Sequence, residues 1–480
     1  MDILANVAQG FAVALQPVNL LACFIGVFIG TLVGVLPGIG PVSAMSLLLP
    51  VTLAGSPEAG IIMMAGIYYG SMYGGSTTSI LVNIPGEAAS VVTCLDGHQM
   101  ARQGRAGPAL GIAALGSFFA GTFAIVALML VAPALANVAI AFGPAEYFSL
   151  MVLGLTVLTF LTQGSMAKAL LMACVGAVLG LIGLVPVVMG LFGIAEVLSN
   201  IERPISRQIL DAKITQLWPS RADWRASAAP VMRGTLLGFF LGILPGGGAV
   251  IASFASYALE KRVSKTPERF GRGAIEGVAG PEAANNAAAG GAFIPLMTLG
   301  IPPNVVMALL MGAFIIHGLQ PGPLMMSQNP ALFWAIVVSM YIGNVMLLVL
   351  NLPLVGMWAQ LLRLPYNVLF PLIVLFSIIG VYCSSNNVFD VYVMIAFGIL
   401  GYLMRMTGYE PAPLVLAFVL WPMLENNLRK ALILSQGELT TFLTRPISAA
   451  CLLFAAVLLV FPLLPALRRK REAVALDEGA

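Results

Sequence analysis

The sequence Leu36-Pro37-Gly38-Ile39-Gly40-Pro41 lies inside an apolar stretch that runs from Leu20 to Leu49. A similar sequence, Leu244-Pro245-Gly246-Gly247-Gly248, interrupts a second apolar stretch from Thr235 to Leu259. Proline removes a helix hydrogen bond and glycine weakens a helix by about 1 kcal/mol, so each sequence breaks a helix near its middle. The two broken stretches predict helical hairpins over residues 20–52 and 234–258.

The composition places the chain in a membrane. Hydrophobic residues make up 59% of the 480 residues and charged residues only 9%, whereas a soluble globular domain carries about 25% charged residues. Apolar runs of about 17–25 residues can cross a bilayer, and a spanning segment must satisfy its own backbone hydrogen bonds. The expected fold class is therefore an all-α polytopic membrane protein.

Several functions are made improbable by residue types that the sequence lacks. The net charge of +3 comes without a basic surface stripe, so nucleic acid is not expected as a partner. The five cysteines are scattered, so we expect no disulfide framework and no structural metal site. No GxxxxGKS/T phosphate loop is present, so the chain does not hydrolyse nucleotide by itself. The first residues lack the basic region of a signal peptide, and the first apolar segment is expected to stay in the membrane.

A second interruption follows each hairpin. In the first half it combines Gly74-Gly75-Ser76-Thr77-Thr78-Ser79 with Ile84-Pro85-Gly86, and in the second half Gly290-Gly291 with Gly300-Ile301-Pro302-Pro303. Corresponding landmarks lie 208, 216, 217 and 215 positions apart, which indicates an internal duplication, although 51 glycines and 31 prolines can also produce this pattern by chance. The broken transmembrane helices are predicted over residues 61–96 and 277–316.

The positions of lysine and arginine indicate that the two halves are inverted, because loops rich in these residues stay in the cytoplasm. The first hairpin is flanked by residues 1–19 and 53–60, which contain no lysine or arginine, whereas the flanks of the second hairpin are basic. Like flanks on both sides predict that each hairpin enters and leaves on one face, as a re-entrant hairpin or a closely spaced helix pair. Opposite flanks in the two halves predict opposite orientation.

Each broken helix, by contrast, is expected to cross the membrane. The loop 96–105 after the first broken helix is basic, and the loop 317–322 after the second has no lysine or arginine. Continuing the count gives about 11 crossings plus the two hairpins, with the N-terminus outside. The basic sequence Arg468-Arg469-Lys470-Arg471 places the C-terminus in the cytoplasm.

The predicted organisation is therefore two inverted transmembrane repeats followed by one more helix. Arg429, Lys430 and Arg445 are exceptions to the charge rule, because this topology puts them outside. The predicted segments are repeat 1 over residues 1–200, repeat 2 over residues 201–425, and a final helix with a basic tail over residues 426–480.

Inverted repeats with broken helices are typical of transporters, in which substrate and ions bind where the breaks meet. Helix N-termini attract anions, free carbonyl groups hold cations, and glycine lets the backbone approach a ligand closely. The alternative is that these small residues only allow close helix packing. The predicted substrate-binding residues are Pro37, Gly38, Gly40, Gly74, Gly75, Ser76, Thr77, Thr78, Asn83, Pro85, Gly86, Pro245, Gly246, Gly247, Gly290, Gly291, Thr298, Pro302 and Asn304.

Glu87, Glu282, Asn285 and Asn286 are the candidates for ion coupling, because a carboxyl group inside a membrane indicates function by default. Either glutamate could bind a proton or a sodium ion, and either could instead lie at the membrane interface. A sodium ion at the hairpin tips is a further candidate, and no other cofactor is expected. A passive channel or assembly scaffold stays open as an alternative function. An intramembrane enzyme has less support, because no acidic pair occurs within one predicted helix.

Four longer segments carry a family resemblance: GVLPGIGP (34–41), YGGSTTSILVNIPGEAASVVTCLDGHQMARQGRAGPALG (73–111), GILPGGGA (242–249) and GPEAANNAAAGGAFIPLMTLGIP (280–302). They resemble the large membrane subunit of tripartite tricarboxylate transporters, the TctA family. The resemblance extends from about Gly34 to Pro446.

The resemblance implies a fold similar to the ion-transporter superfamily, in which hairpin tips and broken helices of two inverted repeats meet at the substrate. It implies two partners, a small four-helix membrane subunit and a periplasmic solute-binding protein. The expected function is uptake of di- or tricarboxylates across the bacterial inner membrane, driven by a sodium or proton gradient. The N-terminus would then be periplasmic. The oligomeric state stays open, a homodimer included.

Two departures from the family pattern are visible. Almost no external loop separates the predicted helices that end at Ile182 and begin at Gly183. Pro303-Asn304 follows the second Ile-Pro, where the family commonly has Gly-Ser or a similar pair. If the external loop helps to dock the binding protein, docking would differ in this chain. Asn304 could alter the choice of acid, so the acid is not named.

Overall fold

The computed structural model describes residues 3–36, 40–52, 55–140, 142–161, 166–179, 184–202, 217–244, 246, 248–362 and 366–460. These residues form helices joined by short turns and contain no strand, which confirms the all-α prediction. The predicted hairpin-tip residues Pro37, Gly38, Pro245 and Gly247 lie outside the described residues.

Helices α1 to α12 occupy the first part of the chain. They are α1 (Ile3–Ala14), α2 (Pro17–Val35), α3 (Gly40–Thr52), α4 (Pro57–Val82), α5 (Val91–Arg102), α6 (Ala106–Ile140), α7 (Pro144–Leu161), α8 (Met166–Leu179), α9 (Leu184–Val188), α10 (Ala195–Glu202), α11 (Arg221–Ile243) and α12 (Gly248–Val263). A 3₁₀ turn (Ala88–Ser90) precedes α5, and a π-helical turn (Met189–Ile194) joins α9 to α10.

Helices α13 to α23 complete the described chain. They are α13 (Glu276–Gly291), α14 (Phe293–Leu299), α15 (Val305–Ile316), α16 (Met325–Gln328), α17 (Pro330–Asn351), α18 (Val355–Leu361), α19 (Tyr366–Ser385), α20 (Val388–Met406), α21 (Pro411–Leu434), α22 (Thr441–Thr444) and α23 (Pro446–Val460).

Five of the described helices are long and apolar enough to cross a membrane: α2, α6, α11, α17 and α20. They make the chain a multi-pass membrane protein. The count of about 11 crossings and the insertion of each hairpin stay predictions. Helix α1 was not expected, because residues 1–19 were interpreted as a flank; its Gly10 lies against the backbone of Trp334 in α17.

Contacts divide the chain into two compact units. The larger contains Met1–Asn137 and Ile182–Thr407, and the smaller contains Val138–Leu181 and Gly408–Ala480. In the smaller unit, Arg445 pairs with Glu146 at 3.0 Å, and Arg429 pairs with Glu425 at 2.8 Å. These carboxylates offset two of the three basic residues that the predicted topology puts on the outer face.

Close backbone contact joins α2 to α4. Every fourth residue on one face of α2 is glycine, and a Cβ added at any of the three would lie closer than 3.0 Å to a carbonyl oxygen of α4. Small residues at this spacing let membrane helices approach backbone to backbone. The facing pairs are Gly26 with Met63, Gly30 with Ile67, and Gly34 with Ser71.

The same contact pattern recurs between α11 and α13. Three glycines at the same spacing on α11 would again bring an added Cβ closer than 3.0 Å to carbonyl oxygens of α13. Each glycine follows its counterpart on α2 by 208 positions, and each facing residue follows its counterpart on α4 by 217. The facing pairs are Gly234 with Gly280, Gly238 with Ala284, and Gly242 with Ala288.

The predicted breaks are shorter in the structure than in the sequence interpretation. Helix α4 runs without interruption through Gly74–Ser79, so this part of the predicted first break is wrong. The glycines are tolerated because they are packed: a Cβ at Gly74 would clash with the carbonyl oxygen of Thr31 in α2, and one at Gly75 would meet Glu87. Gly291 is likewise the last residue of α13 and lies against Phe239 of α11.

The longer interruptions are two five-residue segments with matching backbone conformation, and the single residue Ala292 also separates α13 from α14. Asn83 ends α4 at φ 59° and Gly300 ends α14 at φ 68°, both in the left-handed region. Glu87 and Asn304 then adopt extended φ/ψ values, and each side chain accepts a hydrogen bond from the first turn of the next helix. We call the segments break 1 (83–87) and break 2 (300–304).

Candidate functional site

Glu282, in the middle of α13, is fully buried and is held by two hydroxyl groups from the first half of the chain. Ser76 of α4 donates to its Oε2 atom at 2.5 Å, and Thr93 of α5 donates to its Oε1 atom. Hydroxyl donors stabilise a carboxylate less than an opposite charge does. The two donors position the carboxyl group but leave its charge uncompensated.

Glu87, in break 1, is the second buried carboxyl group and is 8% exposed. Its Oε2 atom accepts from the backbone N–H of Ala89 at 2.6 Å, which caps the turn that leads into α5. Its Oε1 atom accepts from Nδ2 of Asn285, on α13, at 3.2 Å. Each of the two carboxyl groups is therefore bound by a residue from the opposite half of the chain. We call Glu87, Glu282, Ser76, Thr93 and Asn285 the central carboxyl site.

The central carboxyl site contains no basic group. None of the ion pairs in the described part of the chain involves Glu87 or Glu282, and no lysine or arginine occurs in residues 57–101 or 276–316. Other buried acids of this protein do have partners. Glu260, which is 2% exposed, accepts two hydrogen bonds from Arg233, at 2.9 and 2.6 Å.

A further buried acid shows a second way to satisfy a carboxylate. Asp96 of α5 accepts from the backbone N–H groups of Gly273 and Ala274 at 2.8 Å each, and from the hydroxyl of Tyr257 at 2.9 Å. Glu282 has neither backbone donors nor a basic partner among its hydrogen bonds. Glu87 has one backbone donor, from Ala89, so both groups have fewer backbone donors than Asp96 and, unlike Glu260, neither has a basic partner among its hydrogen bonds.

Two hydrogen bonds across the site are related by exchange of the two halves. Nδ2 of Asn285 donates to Glu87 at 3.2 Å, and Nδ2 of Asn304 donates to the hydroxyl of Tyr68 at 3.4 Å. Asn285 follows Tyr68 by 217 positions, and Asn304 follows Glu87 by the same number. Contacts that map onto each other when two units are exchanged are characteristic of a two-fold axis.

Each hairpin likewise contacts the opposite half of the chain. Helix α12 of the second hairpin packs against the turn Ala88–Ser90, which follows break 1, and α3 of the first hairpin packs against α15, which follows break 2. Each hairpin also contacts the break of its own half. Gly86 lies against the carbonyl oxygen of Gly34, and the N–H of Gly246 donates to the carbonyl oxygen of Pro303 at 2.8 Å.

The other sequence-predicted residues lie around this site in different roles. Thr78 donates to the carbonyl oxygen of Val35 at 2.5 Å, and Asn286 donates to Ser117 at 2.7 Å. Thr298 bonds to its own helix at Ile294, 2.6 Å away. The remaining described residues are placed as follows: Gly40 begins α3, Thr77 is buried in α4, Asn83 is exposed, Pro85 is partly exposed, Pro302 is buried in break 2, and Gly290 faces Ala124 of α6.

The sequence interpretation missed Thr93 and Tyr68 as members of this constellation. Thr93 lies on a helix with little apolar character, and Tyr68 lies in a stretch rich in tyrosine and methionine. The repeat offset provides a signal for Tyr68, because it occupies the position of Asn285. Thr93 has no such signal.

A family model described as "Tripartite tricarboxylate transporter TctA family" matches residues 20–416. An uncharacterized 52.8 kDa protein in the TAR-I ttuC' 3'region of Agrobacterium vitis is 52% identical over 500 residues, which cover 100% of both chains. An uncharacterized protein in the TAR-II ttuC' 3'region of Agrobacterium vitis is 56% identical over 241 residues, which cover 50% of this chain and 100% of the relative. No solved structure matches the chain.

Proposed function

Because the chain belongs to the tripartite tricarboxylate transporter TctA family, we propose that it is the substrate-translocating large membrane subunit of a secondary transporter. Its cargo would be a di- or tricarboxylate, and a sodium or proton gradient would drive uptake. Its partners would be a small four-helix membrane subunit and a periplasmic solute-binding protein, with the chain in the bacterial inner membrane.

The observation that carries the proposal is the pair of buried carboxyl groups without a base. Moving an ionised carboxylate out of water is strongly unfavourable unless a counter-charge or strong donors compensate. Glu87 and Glu282 have hydroxyl, amide and single backbone donors only. A bound proton or sodium ion supplies the missing positive charge, so cation binding stabilises this arrangement.

Exchange of the two halves supports an inverted repeat around the site. The offsets of 208 and 217 positions hold for facing residues in both helix pairs, and the crossed hydrogen bonds obey the 217 offset. Related halves that enclose a common site provide the geometry for alternating access, in which one half moves against the other. The segment before break 1 contains no lysine or arginine, and the loop after it is basic. This distribution of charge supports opposite insertion of the two halves.

The two breaks differ in charge, and this difference suits an anionic cargo. Break 1 ends in Glu87 and break 2 ends in the neutral Asn304, although both side chains cap a helix N-terminus. Helix N-termini attract anions through their dipole and free N–H groups. The carboxylate of the cargo would therefore favour break 2, while the coupling cation would favour the side of Glu87 and Glu282.

Uptake into proteoliposomes that contain the chain and both partners tests the proposal. A citrate-like radiolabelled acid should accumulate above its external concentration under an inward sodium or proton gradient, and accumulation should collapse when that gradient is dissipated. Accumulation that ignores both gradients would contradict it. Flux that only equilibrates the acid would identify a passive channel instead.

A further inference from the structure

A small cavity lies beside the central carboxyl site, where α4, α6 and α17 meet. Its polar lining comes from Tyr73, Ser76 and Thr77 of α4, Ser117 of α6 and Asn351 of α17. The apolar part of the lining comes from Leu110, Ala113 and Ala114 of α6. Among these, only Ser76 also belongs to the central carboxyl site, and Tyr73, Ser117 and Asn351 were not among the predicted site residues.

The size of the cavity restricts its occupant. The cavity volume is about 10 Å³, which is about the space that one water molecule needs. A di- or tricarboxylate does not fit. A single water molecule or a single small cation does.

The oxygen atom of Asn351 has no hydrogen-bond partner, although this residue is only 4% exposed. Its Nδ2 atom is engaged with the carbonyl oxygen of Leu347 at 3.0 Å and with the hydroxyl of Thr31 at 3.5 Å. A buried polar atom without a partner costs about 1–3 kcal/mol, so it calls for a ligand. The amide oxygen is a good ligand for a hard cation.

The hydroxyl groups of the lining also keep lone pairs for a cation. Tyr73 donates its proton to Asn344 at 2.6 Å, and Ser117 accepts from Asn286 at 2.7 Å. Ser76 donates its proton to Glu282 at 2.5 Å, which leaves lone pairs on its oxygen and links the cavity to a buried carboxyl group. The polar part of the lining therefore offers several oxygen ligands, and a counter-charge lies one hydrogen bond away.

We propose that this cavity binds one sodium ion, with the oxygens of Ser76, Thr77 and Asn351 among its ligands and Glu282 as its counter-charge. The inference rests on the proposed function, because it assigns a place to the coupling cation. It deepens that function in one respect: it separates the cation site from break 2, where the carboxylate of the cargo is expected.

Thermal unfolding of the purified full chain, with sodium chloride titrated against choline chloride and potassium chloride, tests the site without cargo or partners. Sodium should raise the unfolding temperature of the wild type, whereas potassium and choline should not. Asn351→Leu and Thr77→Val remove one oxygen each and should raise the apparent sodium dissociation constant at least about tenfold. Asn351→Asp, which keeps an oxygen at this position, should retain the sodium response.

Asn19→Leu is the matched control, because Asn19 is a buried asparagine, 3% exposed, that hydrogen-bonds within the α1–α2 region. Its sodium response should equal that of the wild type. No sodium response in the wild type would overturn the proposal and leave a water molecule in the cavity. A response that survives Thr77→Val and Asn351→Leu but is lost in Glu282→Gln would overturn it too, because sodium would then bind elsewhere at the carboxyl site. Neither result would contradict gradient-driven uptake, which is measured separately.

Discussion

Glu282→Gln removes one negative charge from the central carboxyl site with little change in shape. The glutamine oxygen can accept from Ser76 or Thr93, and either hydroxyl can turn to accept from the new amide. Replacing a hydrogen bond to a charged group by a neutral one costs about 1 kcal/mol. The protein should therefore still insert and fold.

The effect on cation binding should be much larger than the effect on folding. A cation and a carboxylate about 4 Å apart attract each other by about 4 kcal/mol at an effective dielectric constant of about 20. Since about 1.4 kcal/mol corresponds to a tenfold change, losing this attraction weakens cation binding about a thousandfold. Glu282 is fully buried, so salt screens its charge much less than it screens a surface charge.

The assay is initial uptake by proteoliposomes with both partners, measured against sodium concentration at fixed pH and against pH at fixed sodium. Glu282→Gln should shift the half-saturating cation concentration about a thousandfold or abolish the dependence. Exchange of cargo across the membrane should persist. The control is Glu276→Gln, at the first position of α13, where the carboxylate is partly exposed and lies 3.8 Å from Arg269. Wild-type cation dependence in Glu282→Gln would refute the reasoning.

Three further outcomes are expected. In a cysteine-free background, Arg102→Cys and Gln320→Cys, both at exposed positions, should react with an impermeant thiol reagent from opposite sides of the membrane; labelling from one side would contradict the inverted repeat. Gly238→Val, which forces a side chain against Ala284, should lower stability by about 1–3 kcal/mol in a thermal unfolding assay, whereas Gly356→Val, with nothing within 4 Å, should not. Glu87→Gln keeps an oxygen for the helix cap and should lose cation dependence of uptake while its unfolding temperature stays close to that of the wild type; unchanged cation dependence would argue against its role.

Much of the larger unit could be predicted from the sequence because local chemistry dictates it. The sequences Ile84-Pro85-Gly86 and Gly300-Ile301-Pro302-Pro303 combine glycine with proline, and the helices end there as predicted. The offset of 217 positions between Pro85 and Pro302 is visible in the sequence alone. At this offset Gly74 corresponds to Gly291. The offset of 216 positions between Gly74 and Gly290 is therefore one position short.

Other features depend on tertiary contacts that no local pattern encodes. Gly74–Ser79 was interpreted as a break because glycine is a weak helix former, but packing against α2 compensates for that cost. The bond from Ser76 to Glu282 joins residues 206 positions apart. Asn351 is a single amide at the end of an apolar helix, and only its unpartnered oxygen and its place in the cavity lining distinguish it from a packing residue.

The central claim is that buried carboxyl groups from the two halves bind the cation that drives uptake. Cation movement driven by cargo tests this claim most directly. Proteoliposomes with the complete complex are given an inward gradient of a tricarboxylate at equal sodium and pH on both sides, and sodium and proton movements are recorded. Wild-type protein should carry one of these cations inward although that cation has no concentration gradient, and Glu282→Gln should not. Cargo entry without accompanying cation entry in the wild type would contradict the account.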